Sequence, residues 1–102
     1  MNKEFIPYEQ ALELKDLGFD EECMFSYKQT LLQVEVPAPL YQQAFRWFRD
    51  VYGLYSFIFC CDEGFGYETY KEGVFQINEP FNTYEEAELA CLNRLIEIVK
   101  NK

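Results

Sequence analysis

Arg46 and Arg49 are the residues whose types and spacing best suit ligand chemistry in this sequence. On a helix, residues with this spacing lie one turn apart on the same side. Two such guanidinium groups form a fork that fits a carboxylate or a phosphate. Gln42 lies one turn earlier, and Phe45 and Tyr52 could supply a ring wall for stacking. The sequence therefore predicts a site for a small anionic ligand, such as a nucleotide, or for an acidic peptide.

The surrounding segment, LYQQAFRWFRDVYG at residues 40–53, predicts the helix that would hold this site. Its apolar side chains fill one continuous arc of about 160° on a helical wheel, and no ring falls among the polar ones. Most of the rings are therefore expected to lie in the core. The alternative to a ligand site is a solvated face on which Arg46 pairs with Asp50. The arc contains Trp47, Leu40, Val51, Ala44, Phe48, Tyr41, Tyr52 and Phe45, and the polar side contains Asp50, Gln43, Arg46, Gln42 and Arg49.

Acidic residues dominate the charge: 18 Asp and Glu against 9 Lys and Arg give a net charge of −9. Nucleic acids and anionic membranes attract Lys and Arg, so both are excluded as direct partners. The sharper interpretation is a protein partner with a basic surface, and the plainer one is charge that keeps the chain soluble. The candidate contact residues are Asp20, Glu21, Glu22, Asp62 and Glu63.

Catalysis is disfavoured because the 102 residues include no histidine. Ser-His-Asp and Cys-His pairs and His-ligated zinc are excluded, together with the commonest general base near neutral pH. The four cysteines show no C-x-x-C spacing, and no phosphate loop or calcium loop is present. We therefore predict no catalytic residues, no metal and no cofactor.

The N-terminus MNKEFIPYEQ lacks the apolar core of a signal peptide, and no stretch reaches the ~20 apolar residues of a membrane helix. We therefore expect a cytoplasmic chain with reduced thiols. Cys60 and Cys61 would point to opposite faces of a regular strand, which makes them a poor metal clamp.

Pro7 is expected at the first position of a first helix. That helix would end at Gly18 in the left-handed conformation, with Phe19 lying back on Leu14. Residues 23–36 read as two strands with a turn near Gln29. In the second of them, Leu32, Val34 and Val36 alternate with Gln33 and Glu35.

Residues 54–61, LYSFIFCC, are apolar on both faces apart from Ser56, which is typical of a central strand. A turn at residues 62–66 leads to a strand around Tyr67–Tyr70. Glu72–Gly73 then predicts a tight hairpin into Val74–Ile77.

Thr83 and Glu86 form a capping-box pattern that starts a last helix, which should run to about Val99. Its apolar arc is about 200° wide and contains Glu88. Either this helix lies between several elements or part of its surface is an oligomer contact. Glu88 must reach solvent, pair with a lysine, or be held in a pocket or interface.

These elements predict one α+β domain over residues 1–102: three helices packed on an antiparallel sheet of about five strands, in the order α-β-β-α-β-β-β-α. Strands in pairs and triples favour hairpins over a parallel sheet. The order of strands within the sheet does not follow from the sequence.

Three stretches carry a resemblance: FIPYEQALELKDLGFDEEC, QAFRWFRDVYG and FNTYEEAELACLNRLIEIVKNK. Together they resemble a group of small uncharacterised proteins of Bacteroidetes bacteria and their phages or mobile elements. The resemblance implies an accessory role in such an element and, by analogy, inhibition of a host defence protein. It assigns no functional residue.

The sequence thus favours a non-catalytic protein-binding module over a small-ligand or nucleotide-sequestering protein. An enzyme is the least favoured class. Homo-oligomerisation is compatible with either binding hypothesis.

Overall fold

The computed structural model describes residues 5–29, 34–71 and 74–101 of the chain. Within these ranges the predicted α+β fold and the predicted element order are confirmed. The five strands form two antiparallel sheets rather than one, a β1-β2 pair and a three-stranded sheet in the order β3-β4-β5. The elements are α1 (Tyr8–Asp16), β1 (Ser26–Gln29), β2 (Val34–Pro37), α2 (Tyr41–Tyr52), β3 (Tyr55–Cys61), β4 (Gly64–Lys71), β5 (Val74–Phe81) and α3 (Tyr84–Lys100).

The end of α1 sets the path of the next segment. Gly18 has φ +105°, its N–H donates to Lys15 O at 3.0 Å, and the Phe19 N–H donates to Leu14 O at 2.9 Å. This pair of bonds is the Schellman motif, and it confirms the predicted left-handed Gly18 with Phe19 folded back on the helix. Pro7 is the N-cap residue rather than the first helical one, so that prediction was wrong by one position.

The β1-β2 pair begins later than predicted. β1 starts at Ser26, which is opposite Pro37 in the register, so residues 23–25 precede the strand instead of forming its start. The predicted alternation is seen where β2 is described, with Glu35 exposed and Val36 buried. The rest of that prediction, at Leu32 and Gln33, falls outside the described residues, as does the Glu72–Gly73 hairpin turn.

The three-stranded sheet corrects the prediction for residues 54–61. β3 pairs with β4, and in the described ranges no strand lies on its other side, so β3 is an edge strand. Its two apolar faces have different surroundings. One face packs toward α2 and α3, whereas the opposite face leaves Tyr55 51% and Phe57 52% exposed.

α3 closes the core from one side. The Glu86 N–H donates to Thr83 Oγ1, and the Thr83 N–H donates to Glu86 Oε1, each at 3.1 Å, so the predicted capping box is confirmed. The helix contacts α1, α2 and all three strands of the larger sheet, which accounts for its wide apolar arc. Among the described residues, no helix is both long and apolar enough to cross a membrane.

The turn between β3 and β4 supplies the first prediction. Gly64 has φ +144°, and a Cβ built there would collide with the carbonyl oxygen of Phe81. Gly53, which ends α2, has φ +67° and open space around it. Gly53→Ala should cost about 1 kcal/mol of stability from the left-handed backbone alone. Gly64→Ala should cost at least about 1 kcal/mol more, since β5 must shift as well.

Urea unfolding of both variants, followed by circular dichroism, measures the difference. Equal losses would show that β5 does not constrain Gly64.

Candidate functional site

α2 holds one face in the core and presents the other to solvent. Phe48 is fully buried and Trp47 is only 5% exposed, as the helical wheel predicts. The Trp47 ring packs edge-on against Phe19 at 5.4 Å and against Phe48 at 5.1 Å between centroids. Val51 and Leu40 are the exceptions on the apolar arc, at 56% and 36% exposed. With this face fixed, Arg46 and Arg49 must project outward.

The arginines open onto a shallow cleft of about 270 Å³ between α2 and the start of β3. We call it the arginine cleft. Four of the five predicted ligand residues line it, and the first two residues of β3 complete it. Its lining is Gln42, Phe45, Arg46, Arg49, Tyr55 and Ser56.

Tyr52, the fifth predicted ligand residue, does not line this cleft. Its hydroxyl donates to the Leu17 carbonyl oxygen at 3.0 Å, and its ring packs edge-on against Trp47 at 5.4 Å. Tyr52 therefore ties the end of α1 to α2 and is a structural residue. Tyr55, three residues later at the start of β3, supplies a ring in its place.

Both arginines have nearby carboxylates, but that of Arg46 is not the predicted one. Arg46 Nη2 lies 3.8 Å from Glu21 Oε1, and Arg49 Nε lies 3.3 Å from Asp50 Oδ1. The predicted Arg46–Asp50 pair is therefore wrong, because Asp50 turns toward its neighbour. Solvent-exposed pairs of this kind contribute little to stability, so an incoming anion can replace them.

A second groove of about 290 Å³ shares Gln42 and Arg46 with the arginine cleft, and we call it the methionine groove. It brings Met24, which is 92% exposed, next to Leu40, which is 36% exposed. Sequence reasoning missed this groove because it placed Met24 in a strand. The groove is lined by Phe5, Glu22, Met24, Leu40, Gln42, Gln43 and Arg46.

The two predicted acidic clusters lie apart. Gln43 Nε2 donates to Glu21 Oε1 at 3.2 Å and to the Glu22 carbonyl at 2.9 Å, which holds residues 20–22 beside the methionine groove. Asp62 and Glu63 form the turn at the far end of β3. The seven residues of that strand span about 20 Å at about 3.3 Å per residue.

The buried titratable groups favour their neutral forms. Burial raises the pKa of the Cys91 thiol to about 12, and Glu88 adds to the rise. The Ser56 hydroxyl faces that sulfur and partly offsets the rise. The contact is not a well-formed hydrogen bond, because the buried Ser56 oxygen has no partner among the described residues. Burial likewise raises the pKa of Tyr41 to about 12, so neither group is a nucleophile at neutral pH.

No protein-family model, curated protein or solved structure matches this chain. The function must therefore be argued from the geometry of the two clefts and the charges around them.

Glu88 gives a prediction with a definite pH dependence. Burial, and then the neighbouring Glu85, raise the pKa of its carboxyl group. The folded state thus binds this proton more tightly than the unfolded chain does. The stabilisation by protonated Glu88 is fully present below the ordinary carboxyl pKa of about 4.3. It is lost as the pH rises through the raised pKa of the folded state. Glu88→Gln should raise the melting temperature at pH 7, and the gain should shrink toward pH 4.

Thermal unfolding of the wild type and the variant across this pH range measures the effect. Glu35→Gln, at an exposed position of β2, is the matched control and should show no such trend. An increase in melting temperature for Glu88→Gln that grows on acidification would contradict the predicted direction.

Proposed function

We propose that this chain is a non-catalytic protein-binding module whose contact surface is centred on the methionine groove. The observation that carries the proposal is Met24, which is 92% exposed beside Leu40 in one groove. Large side chains of this kind are normally withdrawn from water. A contiguous apolar patch with a polar rim is typical of an interaction site.

The groove has the composition of an interface. Methionine, aromatic and arginine side chains are enriched in protein contacts, and Met24, Phe5 and Arg46 all line this groove. The groove is also shallow and open, whereas small molecules prefer concave sites that enclose most of their surface. Both features favour a protein or peptide as the occupant.

Charge indicates the kind of partner. Glu22 lines the groove, Asp20 and Glu22 are exposed, and the whole chain carries −9. A partner with a basic surface around an apolar anchor would be steered in by long-range attraction and held by the apolar contact. An accessory role in a phage or mobile element, with a host defence protein as the partner, extends this proposal and rests on sequence resemblance alone.

A loss-of-contact experiment tests the surface. Immobilised wild type captures proteins from a Bacteroidetes lysate, and the captured protein is purified for titration. Met24→Gln should weaken its binding about tenfold, because central interface residues contribute more than about 1 kcal/mol. Raising the salt concentration should weaken binding further.

Val51→Gln is the matched control, since it replaces another exposed apolar side chain, 56% exposed, that lies outside both clefts. A captured protein that binds Met24→Gln as tightly as wild type would rule out the methionine groove. So would equal losses for the two variants.

A small anionic ligand in the arginine cleft is the second candidate function. It is favoured by the convergence of Gln42, Phe45, Arg46 and Arg49 on one cleft. Inorganic phosphate or a nucleotide at about 100 times its Kd would then stabilise the fold by about 2.7 kcal/mol. Arg46→Ala and Arg49→Ala should abolish the resulting rise in melting temperature.

Lys28→Ala, on the exposed side of β1, should keep the full rise. If neither phosphate nor any nucleotide changes the melting temperature of the wild type, this second function is wrong.

A further inference from the structure

β3 has the composition of a central strand but the position of an edge strand. Its sequence, YSFIFCC, is apolar on both faces, yet only β4 pairs with it in the part of the chain that the structure describes. Edge strands normally carry lysine, proline or a bulge that prevents pairing with another chain. β3 contains no lysine or proline, and its register with β4 is unbroken.

The open edge of β3 presents three residues. Cys61 and Gly64 flank the two-residue turn at Asp62 and Glu63, so they form a hydrogen-bonded pair. Such pairs alternate along an antiparallel ladder. Cys61, Phe59, Phe57 and Tyr55 therefore bond to β4. Ser56, Ile58 and Cys60 direct their N–H and C=O groups away from it.

The arginine cleft lies along this same edge. Tyr55 and Ser56 are consecutive strand residues whose side chains point to opposite faces of the sheet, and both line the cleft. The Ser56 hydroxyl is buried, whereas its N–H and C=O point to the open edge, so we place the cleft beside that edge. Arg46 and Arg49 therefore stand next to the open edge where β3 begins.

Charge decides which strand can pair here. Val51–Cys61 is the longest run without Asp, Glu, Lys or Arg in a chain of net charge −9. Two like-charged copies can approach most closely where neither carries charge. The flanking groups are complementary, with arginines at one end of the strand and Asp62 and Glu63 at the other.

We propose that β3 pairs antiparallel with β3 of a second copy of this chain, and that each copy inserts its Asp62–Glu63 turn into the arginine cleft of the other. The dimer has twofold symmetry and joins the two three-stranded sheets into one of six strands. It goes beyond the protein-binding function above, and its surface shares only Gln42 and Arg46 with the methionine groove.

One register satisfies the geometry. When Ile58 lies opposite the second copy's Ile58, Ser56 lies opposite the second copy's Cys60. By symmetry, Cys60 lies opposite the second copy's Ser56. All three outward residues of each strand are then hydrogen-bonded. Tyr55 lies opposite the second copy's Cys61, so the acidic turn that follows Cys61 extends past Tyr55 toward Arg46 and Arg49.

The same register also brings apolar side chains together on the exposed face of the sheet. Phe57, which is 52% exposed, would lie opposite the second copy's Phe59 in a non-hydrogen-bonded pair, where side chains are closest. Among the described residues, Asp62 and Glu63 make no ion pair within their own chain. The contact is small, so a concentration-dependent equilibrium is expected.

Charge exchange between two variants tests the proposal. Wild type should show a monomer–dimer equilibrium in sedimentation velocity from low to high micromolar concentration. Arg49→Glu and Glu63→Arg should each weaken the dimer about tenfold or more, because each places charges of the same sign together at both turn–cleft contacts of the dimer. An equimolar mixture of the two variants should recover wild-type association, since both contacts of the mixed dimer are again opposite in sign.

Asp16→Arg, at the exposed end of α1, matches the charge change of Glu63→Arg and should leave the equilibrium unchanged. A wild type that stays monomeric, single variants that associate as wild type does, or a mixture that stays dissociated would each overturn the proposal.

A backbone substitution tests the strand pairing separately. Cys60 has an exposed side chain and an N–H that faces solvent in the monomer, so Cys60→Pro should fold but lose dimerisation. Cys60→Ser keeps the N–H and should dimerise normally. If Cys60→Pro dimerises as tightly as Cys60→Ser, or if Cys60→Ser dissociates too, β3 is not the paired strand.

Discussion

The burial of one face of α2 is the constraint on which the rest of the surface depends. Trp47 and Phe48 fix the rotation of the helix. Rotating it would expose their rings, whose burial contributes about 1.5–3 kcal/mol each to stability. Phe19 packs on Trp47, which brings the segment after α1 across to α2. Glu21 and Met24 consequently lie beside Gln43 and Arg46, and both clefts form where that segment and β3 meet the helix.

Local and periodic features could be predicted from the sequence. The capping box at Thr83, the left-handed Gly18 and the two-sided α2 each depend on residues within a few positions of one another. Such spacing is visible without knowledge of the fold. The same periodicity placed Gln42, Arg46 and Arg49 on one surface with Phe45 at its border, and all four line one cleft.

Features that depend on residues distant in sequence could not be predicted. Tyr52 lies at the boundary of the helical arc, and its hydroxyl bonds to Leu17, 35 positions away. The Glu21–Arg46 pair and the methionine groove need the path of residues 19–25, which Phe19 sets. The edge position of β3 follows from strand order, which hydrophobic pattern does not encode because a strand can be apolar on both faces for different reasons.

Arg46 links the two surfaces, because it lines both the arginine cleft and the methionine groove. Its guanidinium group lies near Glu21 at 3.8 Å, a contact weak enough to be exchanged. An anion in the arginine cleft, including the acidic turn of a second copy, would draw this group toward β3 and away from the groove. Coupling between two sites is reciprocal, so a partner that holds Arg46 in the groove would oppose occupation of the cleft to the same extent.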